Sequence, residues 1–301
     1  MKLIESVPNF SCTGDTLEKI VDVFRQADEV TLLDYSDDID HNRSVVTVIG
    51  PPEALADALF LAIKKASELI DLRTHKGAHP RMGATDVVPF IPISQATMED
   101  CIELSKTVAE RVASELNIPA FLYEQSAATP DRENLATIRR GQFEGMKEKM
   151  AGGFTPDYGP AEPHVSAGVT AFGARKPLIA YNINLGTSDL SIADKIAKKI
   201  RHAGGGLRYV KAMGVMLEDR NIAQVSMNLT DYEKSSLYQV METVKYEAAR
   251  YGVSVVGSEL IGLMPMKAMF DAASYYLQLE SFEPEQIIEQ HLLPKEEGDQ
   301  A

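Results

Sequence analysis

Residues 209–229 read YVKAMGVMLEDRNIAQVSMNL. Two apolar runs, 209–217 and 222–229, flank the polar tetrapeptide EDRN, and this predicts a β-hairpin. The segments on either side of the hairpin decide the fold. Upstream, Asp189 to His202 has helical spacing and is stopped by Gly204-Gly205-Gly206, and LIAYNINL (178–185) before it is a strand. Downstream, Tyr232 to Tyr251 is a helix ended by Gly252, and VSVVGSELIG (253–262) is a further strand. The order is β-α-β-β-α-β, that of a ferredoxin-like α/β sandwich.

The first ninety residues repeat this order. KLIESV (2–7) is a strand, and DTLEKIVDVFRQ (15–26) places Leu17, Ile20, Val21 and Phe24 on one helical face. Two β-branched strands, 30–35 and 44–49, bracket the acidic loop SDDIDHNR, and a helix follows from Pro52 to Leu69. VVPFIPI (87–93) is strand-like, with Pro89 and Pro92 restricting it to an edge or irregular position. A helix from Met98 to Leu116, a strand AFLYE (120–124) and a helix from Glu133 to Met150 extend this half. Ala151 to Lys176 is rich in glycine and proline, so it reads as a loop or linker. Its aromatics Phe154, Tyr158 and Phe172 argue against disorder. The fold class is therefore α+β, with two ferredoxin-like subdomains, 1–177 and 178–301, and an extra helix–strand pair on the first. The tail holds one more helix, Pro284 to His291, and a polar end, EEGDQA.

Composition narrows the function classes. The chain has 301 residues, long enough at roughly 150 residues per domain for about two domains. Its hydrophobic fraction of 45% excludes disorder. A net charge of −14 disfavours nucleic-acid binding, because the field repels phosphates. Two cysteines, Cys12 and Cys101, make no disulfide framework, which fits a reducing compartment. No apolar run approaches the ~20 residues of a membrane helix. The start MKLIESVPNF, with Glu5 and Pro8, lacks a signal-peptide core. These features predict a cytoplasmic protein that does not bind membranes.

Few motifs carry chemistry. Gly257 and Gly262 have P-loop spacing, but Leu263-Met264 stands where Lys-Ser/Thr is required, so they read as turn glycines. His75 and His79 are four apart, yet Gly77 and Pro80 oppose a helix there, so no metal is expected. The stretch Arg73 to Gly83 puts two arginines, one lysine and two histidines in eleven residues of an acidic protein. Such a loop is either a solvated turn or a site for a small anionic substrate. In the second case arginine forks hold carboxylates and a histidine moves protons. Asn42 and Arg43, where the acidic loop enters a strand, read either as a cap with a surface ion pair or as carboxylate ligands. The glycine-rich 151–176 segment is either a linker or a wall against which a flat ligand approaches backbone amides.

Six strings in order, ESVPNFS (5–11), DHNR (40–43), HKGAHPRMGATDVVPFIPI (75–93), GARKPLIAYNINL (173–185), NIAQVSMNL (221–229) and VGSELIGLMP (256–265), resemble the formiminotransferase family. The resemblance implies transfer of the formimino group from N-formimino-L-glutamate to N5 of tetrahydrofolate, a step of histidine degradation and one-carbon metabolism. Tetrahydrofolate is then a co-substrate in a tunnel between two α/β subdomains. The resemblance places the catalytic histidine at His79. It places the folate-contacting stretch at Gly159, Pro160, Ala161, Glu162, Pro163, His164, Val165, Ser166, Ala167 and Gly168. Arg43, Arg73, Arg81 and Asn42 are the candidates for substrate carboxylates. The implied chemistry needs neither a metal nor a covalent enzyme intermediate. Relatives of this kind are commonly dimeric, so a homodimer is expected. In animals the module is fused to a cyclodeaminase, an activity not expected from this chain. A formyl donor in place of the formimino one, and a folate-binding module without catalysis, are the alternative readings.

Overall fold

The computed structural model describes residues 1–292 and divides into two compact units, Met1–Arg175 and the part from Lys176 onward. The polar end EEGDQA lies outside the described residues. The architecture is mixed α+β with two sheets. Among the described residues, no helix is long and apolar enough to cross a membrane.

The first unit opens with β1 (Leu3–Ser6), β2 (Asn9–Phe10), α1 (Gly14–Arg25), β3 (Thr31–Asp38), β4 (Arg43–Gly50), α2 (Pro52–Leu69) and β5 (Thr85–Ser94). It continues with α3 (Met98–Leu116), β6 (Ala120–Glu124), α4 (Leu135–Arg139), α5 (Gln142–Ala151) and β7 (Thr170–Ala174). In the seven-stranded sheet β3 pairs with β4, β4 with β1 and β2, and these two with β5, all antiparallel. Beyond β5 the pairing turns parallel, to β7 and then β6. Apolar faces of α1, α2 and α3, with Leu17, Phe24, Leu59, Ile63, Val108 and Val112, meet Val48, Phe90 and Phe172 in one core. Ile138, Met146 and Met150 from α4 and α5 cover Val87, Phe121, Tyr123 and Ala171 in another. Both faces of β5, β6 and β7 are thus buried, the usual condition of parallel strands.

Three sequence expectations change here. The 151–176 segment is not wholly irregular, because Thr170–Ala174 is the buried strand β7, inserted between β5 and β6. The strand holding Pro89 and Pro92 is interior to the sheet. Its prolines are accommodated because Val7-Pro8 interrupts the neighbouring strand opposite Pro89, whose carbonyl takes the Ser6 hydroxyl at 2.7 Å, and because the β1 register shifts beside Pro92. The helix expected over 133–150 is broken at Arg140-Gly141 into α4 and α5.

The second unit runs β8 (Ile179–Leu185), α6 (Leu190–Ile200), β9 (Val210–Leu217), β10 (Ile222–Leu229), α7 (Leu237–Ala249), β11 (Val255–Ile261) and α8 (Met266–Leu277). Its antiparallel sheet has the order β11-β8-β10-β9. The hairpin pairs Leu217 with Ile222 and Val210 with Leu229. Asp189 caps α6 by accepting the Ser191 N–H, and Ser236 caps α7 in a box with Gln239. Ile183, Leu185, Ile196, Val225, Val240 and Val244 form its core. Helix α8 went unread in the sequence, and the helix expected over 284–291 is two short 3₁₀ turns, Pro284–Gln286 and Ile288–Leu292.

Candidate active site

The connection from α2 to β5 carries the basic string, and backbone hydrogen bonds fix its course. The Ala78 N–H donates to the Asp40 carbonyl at 3.1 Å and the His79 N–H to that of His41 at 3.4 Å. The Asn42 side chain donates to the Lys76 carbonyl at 2.8 Å, and the His75 Nε2 lies 3.0 Å from the Asn42 carbonyl. The HNR motif and the His75–His79 loop are therefore one local structure.

On either side of that loop, the chain is stitched to the end of the Gly159–Gly168 stretch and the residue after it. Leu72 N–H donates to Ser166 O, Ala84 N–H to Ala167 O and Val169 N–H to Met82 O, at 2.9, 2.9 and 3.0 Å. Gly83 and Gly168 face each other at this crossing. A Cβ on Gly83 would strike the Val169 carbonyl, and one on Gly168 that of Met82, so two glycines let the backbones touch. His164 closes the loop, exchanging backbone hydrogen bonds with Gly168 and accepting the Ala167 N–H at Nδ1, 3.0 Å away. The other limb, Gly159, Pro160, Ala161 and Glu162, is exposed, as is Val165 beyond Pro163.

At the centre stands His79, its side chain 12% exposed, with Nε2 3.6 Å from the Asp86 carboxylate. Asp86 is fully buried at the start of β5. One of its oxygens accepts the Met82 N–H at 2.7 Å, and the other accepts Arg139 Nη2 at 2.5 Å. Burial alone would raise the Asp86 pKa. The Arg139 guanidinium, together with His79 and the Met82 N–H, outweighs that and holds the carboxyl below its ordinary range. Burial lowers the His79 pKa. Arg43 and Arg139 push in the same direction, and the Asp86 carboxylate opposes them.

The arginines of the sequence reading differ in availability. Arg43 is half-buried, and among the described residues its hydrogen bonds go to Asn9 Oδ1 alone. Arg81 is buried and its fork is occupied by Glu144, with hydrogen bonds of 3.0 and 2.6 Å, while Nε donates to His75 Nδ1 at 3.2 Å. Arg73 is exposed and paired with Asp71 at 2.6 Å. Asp86, Arg139 and Asn9 escaped the sequence reading. The signal available for Asp86 was a carboxylate inside an apolar strand, which demands a partner. Among the described residues, no three His, Cys, Asp or Glu side chains gather in a metal-binding group.

Residues 3–175 match the family model "Formiminotransferase domain, N-terminal subdomain", and residues 180–292 match "Formiminotransferase domain". The chain is 55% identical over 296 residues to a glutamate formimidoyltransferase of Streptococcus pyogenes, covering 97% of this chain and 99% of that one. It is 45% identical to one of Thermoplasma acidophilum, covering 97% and 98% of the two chains. It is also 43% identical to the formimidoyltransferase-cyclodeaminase of Rattus norvegicus, covering 93% of this chain and 53% of the relative. Two family models that together span nearly all the described residues, and relatives this similar over their full lengths, establish that the chain belongs to the formiminotransferase family.

Proposed function

We propose that the protein transfers the formimino group of N-formimino-L-glutamate to N5 of tetrahydrofolate, with His79 carrying the proton. The observation that carries this reading is the setting of His79. It is an imidazole kept neutral by burial, backed by a fixed carboxylate and two guanidinium groups, in a chain collinear with enzymes named for the reaction. Tetrahydrofolate supplies the acceptor amine. His79 takes the proton from that amine as the new C–N bond forms at the amidine carbon. It returns the proton to the glutamate nitrogen as the old C–N bond breaks. One group near neutrality serves both steps and contributes roughly 10²–10⁴-fold in rate. Holding the two substrates in register supplies the larger share, about 7–11 kcal/mol.

The folate is assigned to Gly159–Gly168, whose exposed limb continues into a loop bonded to the Met82–Ala84 backbone. Arg43 is assigned to a substrate carboxylate, since Asn9 leaves part of its fork unused. Asn42 shapes the loop beneath His79 through Lys76. Arg81 and Arg73, already paired, are left out of the substrate assignment.

The test is a paired assay of the intact protein and His79→Ala with tetrahydrofolate and N-formiminoglutamate, following glutamate release. Transfer by the wild type and a loss of about 10²-fold or more in the variant is the expected result. Equal transfer by both removes His79 from the mechanism. Consumption of N-formylglutamate with no use of the formimino donor replaces the reaction with formyl transfer. Folate binding without turnover of either donor leaves a binding module.

A further inference from the structure

The two nitrogens of the His79 ring are not equivalent. Nε2 is buried and, among the described residues, has no hydrogen-bond partner. The group nearest to relieving it is the Asp86 carboxylate, 3.6 Å away and just beyond hydrogen-bonding distance. Asp86 itself is fixed. The Met82 N–H holds one oxygen at 2.7 Å and Arg139 holds the other at 2.5 Å. Arg139 ends α4, and the Lys149 ammonium clamps that end by donating to the carbonyls of Thr137, Ile138 and Arg140 at 2.6, 2.7 and 3.3 Å. A chain of contacts from α5 through α4 to β5 thus sets a carboxylate against one edge of the imidazole.

We infer that Asp86 is a positioning residue for His79, holding the ring in the Nε2–H tautomer and leaving Nδ1 as the nitrogen that takes and returns the proton. This rests on the reading of His79 as the proton carrier. The carboxylate does not take the proton itself. With Arg139 attached it stays ionised, orients the ring and stabilises the imidazolium formed midway. The charged groups around the ring are Asp86 from β5, Arg43 from β4 and Arg139 from α4. Asp86 is the one anion among them, so it alone among the three favours the protonated ring.

The decisive variant is Asp86→Asn, which keeps the shape and can turn an amide N–H toward Nε2, favouring the wrong tautomer. The expected result is a fall in kcat of about 10²-fold or more, with KM for both substrates changed only a few-fold. The acid limb of the pH–rate profile should also move to lower pH. Nitrogen and carbon NMR of His79 in the intact wild-type protein, assigned by comparison with His79→Gln, should report the Nε2–H tautomer. Should Asp86→Asn fail to fold around the unpaired Arg139, the double variant Asp86→Asn/Arg139→Gln removes the whole ion pair and is read by kcat and the ring tautomer, since losing Arg139 offsets part of the acid-limb shift.

A wild-type ring in the Nδ1–H form overturns the inference whatever the kinetics show. So does an Asp86→Asn protein with an unchanged kcat and acid limb, and in that case the transfer reaction itself stands. A wild type without transfer activity instead overturns the proposed reaction and leaves the tautomer measurement to decide this inference.

Discussion

At the scale of single residues, the feature that matters is how an acidic protein keeps one imidazole neutral. Burial removes water from His79, and Arg43 and Arg139 add a repulsion that the Asp86 carboxylate offsets only in part. The ring therefore protonates below the ordinary imidazole value of about 6.5. As the proposed proton carrier, His79 can act as a base only when neutral, so activity is expected to fall as pH drops through that depressed value. The expected kcat/KM profile is flat near neutrality and bends downward with a midpoint below about 6.5. A measured midpoint above it would mean that the ring feels the carboxylate more than its burial. The sequence exposed His79 through its unusual string but hid the residue behind it. Asp86 sits in the same string among apolar neighbours, and the arginine that holds it is 53 residues further along. A partner at that separation belongs to the fold, not to local spacing. The same holds for Arg81, whose fork is filled by Glu144, 63 residues away. From the sequence alone it was indistinguishable from a free carboxylate ligand.

At the scale of elements, the strongly periodic segments were legible and the fully buried ones were not. The helices α1, α2, α3, α6 and α7 and the strand pairs β3–β4 and β9–β10 stand where spacing and turn residues put them. Strand β7 did not announce itself. TAFGA is short, buried on both faces and has no alternation, and its flanks are full of glycine. The glycine within it has a steric reason. A Cβ on Gly173 would lie 2.5 Å from the ring and carbonyl of Tyr123 on β6, so the two parallel strands approach closely only because it is absent. Replacing Gly173 with alanine should therefore cost about 1–3 kcal/mol by overpacking a core that cannot yield. Urea titration of the intact protein checks this. An unchanged midpoint would show that β6 and β7 have room the geometry denies them.

At the scale of the whole chain, the assigned chemistry is gathered in one unit. His79, Asp86, Arg139, Arg43, Asn9 and the Gly159–Gly168 loop all lie within Met1–Arg175. That unit has its own cores. Its buried apolar side chains run from Ile4 to Ala174, and those of the other unit from Ile179 to Ala268. The hydrogen bonds that fix the His79 ring's surroundings, those from Met82, Arg139 and Lys149, are also internal to it. A domain of this size buries roughly 70% of the surface its unfolded chain exposes, enough to fold alone. The fragment 1–175 is therefore expected to unfold in one cooperative transition and to keep the His79 tautomer signal of the full chain. Near-UV circular dichroism and the ring's NMR signal measure the two properties separately. Loss of both would mean that the first unit needs the second to fold. A cooperative fold with an altered tautomer would be more informative, because it would place part of the control over His79 outside Asp86 and its two hydrogen-bond donors.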